Sequence, residues 1–169
     1  TSILLSHSVK KLCSITSEAP KVAIILGSGL KAFADSLQNT TRLSYDQIPH
    51  FPNGQVSGHD GALIYGTLPD SDLSVVALSG RAHLYEGFSV DEVVHAIRSL
   101  IRWGVKRLII TNAAGSISPS MKPSELMLIS DHINLTGHNP LIGPHLPEFG
   151  ERFPDMSNAY TPKLSQIIL

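Results

Sequence analysis

The sequence predicts an α/β fold with a mainly parallel or mixed twisted central sheet flanked by helices. Three observations carry that reading. Two short runs, Lys21 to Leu26 and Arg107 to Thr111, are almost continuously apolar and β-branched, which is how strands covered on both faces read. Between them, a segment opening at Ser89 repeats apolar residues at helical spacing. Each run then ends in small residues, Gly27-Ser28-Gly29 and Asn112-Ala113-Ala114-Gly115, where an open α/β sheet turns at the carboxyl ends of its strands.

Taken in order, the first twenty residues are weakly patterned and hold the single cysteine, Cys13. The first strand and its glycine turn lead into a helix expected over Leu30 to Leu37, with Phe33, Ala34 and Leu37 at helical spacing. Ala62 to Leu68 and Ser74 to Leu78 are two further strands, joined through the turn residues Leu68-Pro69-Asp70-Ser71-Asp72. Gly80 to Phe88 has no period and reads as a loop. Ser89-Val90-Asp91-Glu92 is a capping box, with Ser89 at the N-cap and Glu92 three residues on. Val90, Val93, Val94, Ile97, Leu100 and Ile101 form the stripe of the helix that follows, and Gly104 stops it. Glu125 to Asp131 is expected as a later strand. Gly137 to Asn158 carries four prolines and little periodicity, the pattern of a long functional or interfacial loop. Thr161-Pro162 opens a final helix in the N-cap and N1 arrangement. That helix reaches Leu169 with its most apolar residues last, so the expectation is one α/β domain over residues 1–169 that lacks its C-terminal part.

Composition narrows the function classes. Charged residues are 16% of the 169, against a typical ~25%. Low charge in a chain with a real core points to surface covered by other segments or subunits. The net charge of -1 supplies no basic field for nucleic acid and no polybasic membrane patch. One cysteine excludes an intrachain disulfide and a cysteine zinc cluster, and favours a reducing, cytoplasmic setting. No apolar run approaches the ~18–20 residues of a membrane span. The N-terminal segment has no signal-peptide core. Asn39-Thr40-Thr41 and Asn134-Leu135-Thr136 match the glycosylation pattern and read as chance.

The chemistry concentrates at the strand ends. Gly27-Ser28-Gly29 suits either a tight turn or an anion cradle, in which backbone N–H groups and the Ser28 hydroxyl converge. It is neither a dinucleotide fingerprint nor a Walker loop. Gly80-Arg81-Ala82-His83-Leu84-Tyr85-Glu86-Gly87 is richer. Arg81 can fork onto an oxyanion, His83 can bind or protonate one near neutral pH, Glu86 is close enough to orient His83, and Tyr85 offers a flat face to a sugar. The alternative is a surface loop with solvated charges. His59, between Gly58 and Asp60, is either a close-approach ligand or a surface histidine. His132 is expected in a structural hydrogen bond; His7, His95, His138 and His145 have no partner pattern. Eight histidines without metal-ligand spacing argue against a metal site, and no nucleophile elbow is present.

These motifs, with Val22 to Leu30, Ile48 to Asn53 (IPHFPN), Thr111 to Gly115 (TNAAG), Met127 to Asn134 (MLISDHIN) and Glu148 to Tyr160 (EFGERFPDMSNAY), resemble the trimeric, low-molecular-mass purine nucleoside phosphorylases in order and spacing. The resemblance runs from near residue 20 to the end. It implies reversible phosphorolysis of purine (deoxy)ribonucleosides to free base and (deoxy)ribose 1-phosphate, with inorganic phosphate as co-substrate and no other cofactor or metal. It implies phosphate held by Ser28, His59, Arg81, His83 and the backbone N–H of Ala113. Tyr85 would bind ribose, Glu86 would position His83 for catalysis, and Phe149 would cover the sugar of a neighbouring subunit's site in a cytoplasmic homotrimer. The base-binding residues would lie beyond Leu169. Lys31 stands where the family commonly has a further glycine, and Ser116 follows Gly115 as an ordinary variation. 5′-Methylthioadenosine phosphorylase shares the fold but differs in the histidine loop. A non-catalytic phosphate- or nucleoside-binding fragment is the alternative of another class.

Overall fold

A computed structural model describes residues 2–53 and 61–169. The chain divides into two compact units, Thr1–Ala113 and Ala114–Leu169. The first holds a five-stranded sheet built from β1 (Val22–Leu26), β2 (Gln38–Ser44), β3 (Ala62–Thr67), β4 (Ser74–Ser79) and β5 (Arg107–Ile110), in the order β2-β3-β4-β1-β5. β1 pairs in parallel with β4 on one side and β5 on the other; β2-β3 and β3-β4 are antiparallel. The sheet is therefore mixed, and its parallel core is where the apolar runs placed it.

The central strands split their side chains between two cores, as a two-residue period demands. Ala23, Ile25, Leu63, Val76 and Leu78 face one side, with Leu100 and Trp103 of α3 (Val90–Trp103) and Leu12 of α1 (Ser2–Leu12). Leu26, Ala62, Ile64, Val75 and Ala77 face the other, with Ala34 of α2 (Lys31–Asp35) and Leu37. Burial on both faces explains why these strands show no polar alternation in sequence.

α3 forms as its capping box predicts. The Glu92 amide donates to Ser89 Oγ at 3.3 Å, and Glu92 Oε2 accepts from the Ser89 amide at 2.8 Å. The Ser89 hydroxyl, donating to Glu92 Oε2 at 2.7 Å, and then the Ser89 amide hold the Glu92 carboxyl below its usual range. Gly104, at φ +127°, ends the helix in a conformation that a side chain would resist.

Two elements went unread in the sequence. α1 turns Leu5, Ser8 and Leu12 inward, and the polar Ser8 breaks the apolar stripe that would have marked it. Ser8 is fully buried; its hydroxyl lies 2.6 Å from the Pro49 carbonyl and 2.8 Å from His95 Nε2. With its one proton given to Pro49, Ser8 accepts from His95, so the helix docks through a polar pair rather than through apolar contact alone. β2 is an edge strand of mostly exposed polar residues with a bulge between Gln38 and Thr41, and such a strand carries no hydrophobic period.

Two expectations are corrected. The helix after β1, α2, spans only Lys31–Asp35, not Leu30 to Leu37. Leu37 still buries, but through the turn into β2. Glu125 to Asp131 forms no strand. It finds no ladder partner among the described residues, and an unpaired strand leaves its backbone groups without the bonds that define a sheet.

The second unit contains a 3-10 turn (Pro147–Phe149) and α4 (Pro162–Ile168). Thr161 takes the N-cap position without a side-chain hydrogen bond, and Pro162 follows it. Local polar bonds shape the rest. Arg152 Nη1 donates to the carbonyls of Leu141 (3.1 Å) and Gly143 (2.9 Å), closing the long loop on itself. His132 Nδ1 lies 2.6 Å from the Tyr160 hydroxyl, the structural bond expected of it. No helix among the described residues is long and apolar enough to cross a membrane.

Leu63 is wholly buried in the first core. Leu63→Ala is expected to cost about 2–5 kcal/mol, read from urea unfolding of the two proteins. His95 offers a second test. Its pKa is held below the usual imidazole value, first by burial and then by His50 and Arg98, with Asp91 opposing. The His7 ring stacks on His50 on the far side of the cluster. The unfolded chain therefore binds a proton at His95 that the folded chain resists, and stability falls as pH drops below about 6.5. Thermal midpoints measured from neutral to acid pH should show that decline, and His95→Gln should flatten it.

Candidate anion site at the strand ends

β1 feeds α2 on one face of the sheet, and β4 feeds α3 on the other. Chains leaving neighbouring parallel strands towards opposite faces open a crevice at their carboxyl ends, the position where ligands bind in such sheets. The predicted residues of the first unit that are described gather there. Gly27-Ser28-Gly29 leaves β1, Arg81 to Gly87 follows β4, and Thr111 to Ala113 follows β5.

Close packing fixes the first turn. A Cβ on Gly27 would stand 2.8 Å from Asn112 Cα and 2.9 Å from the Thr111 carbonyl, so glycine is required by approach of the β5 end. The Gly27 amide donates to Thr111 Oγ1 at 2.8 Å. Ser28 is exposed beside it. Because α2 has only five residues, the turn's capacity for an anion rests on local amides and the Ser28 hydroxyl rather than on a helix dipole.

Arg81 is half-buried, and its Nη1 donates to the Thr111 carbonyl at 2.7 Å. Upstream, Gly80 turns the chain at φ +98°, and its carbonyl accepts from the buried Tyr45 hydroxyl at 2.7 Å. Burial lifts the Tyr45 pKa well above the usual phenol range, so this donor stays protonated. Beneath the loop lies an apolar cavity of about 90 Å³, lined in part by Phe51, Leu78, Arg81, Ala82 and Ile97.

His83, Tyr85 and Glu86 sit in one 3-10 turn (Leu84–Glu86) and its cap. Glu86 Oε2 accepts from the His83 amide at 2.9 Å, so Glu86 holds His83 through its main chain. The His83 and Tyr85 rings stack with centroids 4.7 Å apart and planes 13° off parallel. Tyr85 is 75% exposed, leaving its other face available to a ligand. Ala113 is exposed at the end of the β5 turn. His59 lies outside the described residues. Phe149 belongs to the second unit, half-buried in its 3-10 turn, whereas Phe153 of the same loop is 89% exposed. Among the described residues, no group of three or more His, Cys, Asp or Glu could hold a metal ion.

The sequence reading did not assign a site role to Thr111 or Tyr45. Thr111 belongs to the TNAAG run, but its hydroxyl bonds residues more than eighty positions earlier, which no local pattern reveals.

Comparison with known proteins identifies relatives of this fold. The chain is 49% identical over 150 residues to purine nucleoside phosphorylase 1 of Bacillus subtilis, covering 89% of this chain and 55% of that protein. It superposes with a TM-score of 0.87 and 38% identity on isoform 2 of the Schistosoma mansoni purine nucleoside phosphorylase, solved with cytosine and ribose 1-phosphate; the match covers 97% of this chain and 58% of the other. A Schistosoma purine nucleoside phosphorylase solved with hypoxanthine matches with a TM-score of 0.86 and 40% identity, over 96% of this chain and 57% of the other. The chain thus spans somewhat more than half the length of these relatives. Residues 21–169 match the profile of the phosphorylase superfamily, and with the crevice that β1, β4 and β5 form, they establish that this chain belongs to that superfamily.

Proposed function

We propose that this protein takes part in the phosphorolysis of purine (deoxy)ribonucleosides, releasing free purine and (deoxy)ribose 1-phosphate. The observation that carries the proposal is the convergence of Arg81 and the Gly27-Ser28-Gly29 turn on Thr111 at the sheet's carboxyl edge. A guanidinium and a small-residue turn joined to one residue form a combination suited to an anion. Ligands named for the related structures, ribose 1-phosphate and hypoxanthine, are of the classes this reaction produces.

In the proposed reaction, the bond between the sugar's anomeric carbon and the purine nitrogen lengthens, and its electron pair leaves with the purine, which takes up a proton. A phosphate oxygen then bonds to the anomeric carbon. Ser28, His59, Arg81, His83 and the Ala113 amide hold the phosphate on the face opposite the leaving base, and its negative charge stabilises the oxocarbenium-like sugar. Glu86 orders the His83 turn, and Tyr85 supplies the sugar with a face. Phosphate is the co-substrate, and no further cofactor is invoked. Purine recognition is assigned to the portion of the relatives that this chain does not span. The assembly is a cytoplasmic homotrimer in which an aromatic residue of the 137–158 loop covers a neighbour's sugar. Phe149 is the sequence-derived choice, and the greater exposure of Phe153 makes it the necessary comparison.

Isothermal titration of the 169-residue chain with inorganic phosphate should show binding, weakened in Arg81→Ala and His83→Ala. In a chain of the relatives' full length, either substitution should slow phosphate-dependent inosine cleavage by about 10²–10³-fold. Wild-type rates would remove these residues from the mechanism. Phosphate binding without turnover in the full-length protein would favour a binding role, and absence of any phosphate effect would sink the phosphorylase reading. A separate outcome concerns the loop: alanine at Phe149 or Phe153 should raise the KM for inosine while sparing phosphate affinity, and the larger effect identifies the aromatic that meets the sugar.

A further inference from the structure

Thr111 makes four hydrogen bonds that no single neighbour could replace. Its amide donates to the Ile25 carbonyl at 3.0 Å, continuing the β1-β5 ladder one step past the last registered pair, Ile25 with Ile110. Its hydroxyl lies 2.9 Å from the same Ile25 carbonyl and 2.8 Å from the Gly27 nitrogen. A hydroxyl has one proton and two lone pairs, so the proton goes to Ile25 and a lone pair takes the Gly27 N–H. Its carbonyl accepts from Arg81 Nη1 at 2.7 Å.

We infer that Thr111 is the positioning residue of the anion site, setting the Gly27-Ser28-Gly29 turn with its hydroxyl and the Arg81 guanidinium with its carbonyl. The inference deepens the proposed function and rests on it for the identity of the anion. Thr111 needs no contact with the ligand to act in this way. A continued parallel ladder would have the Gly27 amide donate to the Thr111 carbonyl; here the Thr111 hydroxyl takes that amide, and the carbonyl accepts from Arg81 instead. The Gly27 amide is thereby committed inward, and the direction in which Ser28 leaves the strand is fixed. On the other side, one of the five N–H donors of Arg81 is spent on Thr111, which fixes the plane of the fork. The turn and the arginine lie more than fifty residues apart in sequence and on different strands. A shared anchor holds their separation constant, which is what preorganised oxyanion binding requires.

The test uses Thr111→Val, which keeps the shape and removes the hydroxyl, and Thr111→Ser, which keeps the hydroxyl. Two readouts are taken: exchange of the Gly27 amide proton without ligand, and titration with inorganic phosphate. In the unaltered chain the Gly27 amide should exchange slowly. In the valine variant its exchange should speed up and phosphate affinity should fall, each by about tenfold, the scale of one hydrogen bond. The serine variant should restore both, with a urea midpoint close to that of the parent. An unprotected Gly27 amide in the parent chain overturns the inference, as does a valine variant that binds phosphate as the parent does. Equal losses in the valine and serine variants, tracking a fall in the urea midpoint, reduce Thr111 to a structural role and also overturn it. If the parent chain binds no phosphate while Gly27 loses protection in the valine variant, the phosphorylase reading fails and the assignment of Thr111 to a phosphate site falls with it, even though the anchor itself is real.

Discussion

The three parallel strand ends depend on one residue's bonds. Thr111 ties β5 to β1 through Ile25 and Gly27, and ties both to the loop after β4 through Arg81. Parallel ladders by themselves hold strands side by side but say little about the backbone once the strands stop. The crevice begins where they stop. Gly27 is excluded from carrying a side chain by the same approach, since its Cβ would collide with the Asn112 and Thr111 backbone. Packing and hydrogen bonding thus enforce one spacing between the turn and the arginine.

A second polar anchor supports the sheet from below. Ser8 and His95, both buried, join α1 to α3, and the Pro49 carbonyl completes the set. Phe51 packs its ring edge-on against both Tyr45 and His95. Tyr45 in turn holds the Gly80 carbonyl immediately before Arg81. A chain of buried groups therefore runs from the docked N-terminal helix to the arginine loop. Satisfied polar groups in a core specify one arrangement more sharply than apolar contact does, because a misplaced partner leaves a buried donor or acceptor unpaired.

The low fraction of charged residues has a structural counterpart in the second unit. Ile117, Leu126, Ile133, Leu135 and Phe153 are almost wholly exposed there, and local turns held by Asn134, Thr136 and Arg152 give the segment its form instead of a core. These exposed side chains accord with a chain that spans little more than half of its relatives' length and with a proposed oligomer.

The sequence by itself determined the parallel core, because strands covered on both faces must be apolar throughout, and it determined α3, because a capping box and a stop glycine are local signals. It also exposed Arg81, His83, Tyr85 and Glu86, since so many functional groups in one aperiodic loop are visible without coordinates. It could not show β2, whose edge position requires no hydrophobic period, nor α1, whose buried serine answers a histidine 87 residues away. The strand expected at Glu125 to Asp131 needed a pairing partner, and propensity does not supply one. Only the tertiary structure decided that Thr111 and Gly27 share a bond and that Arg81 reaches the same residue. Such contacts join distant strands, and their existence follows from the order in which the strands assemble rather than from any pattern along the chain.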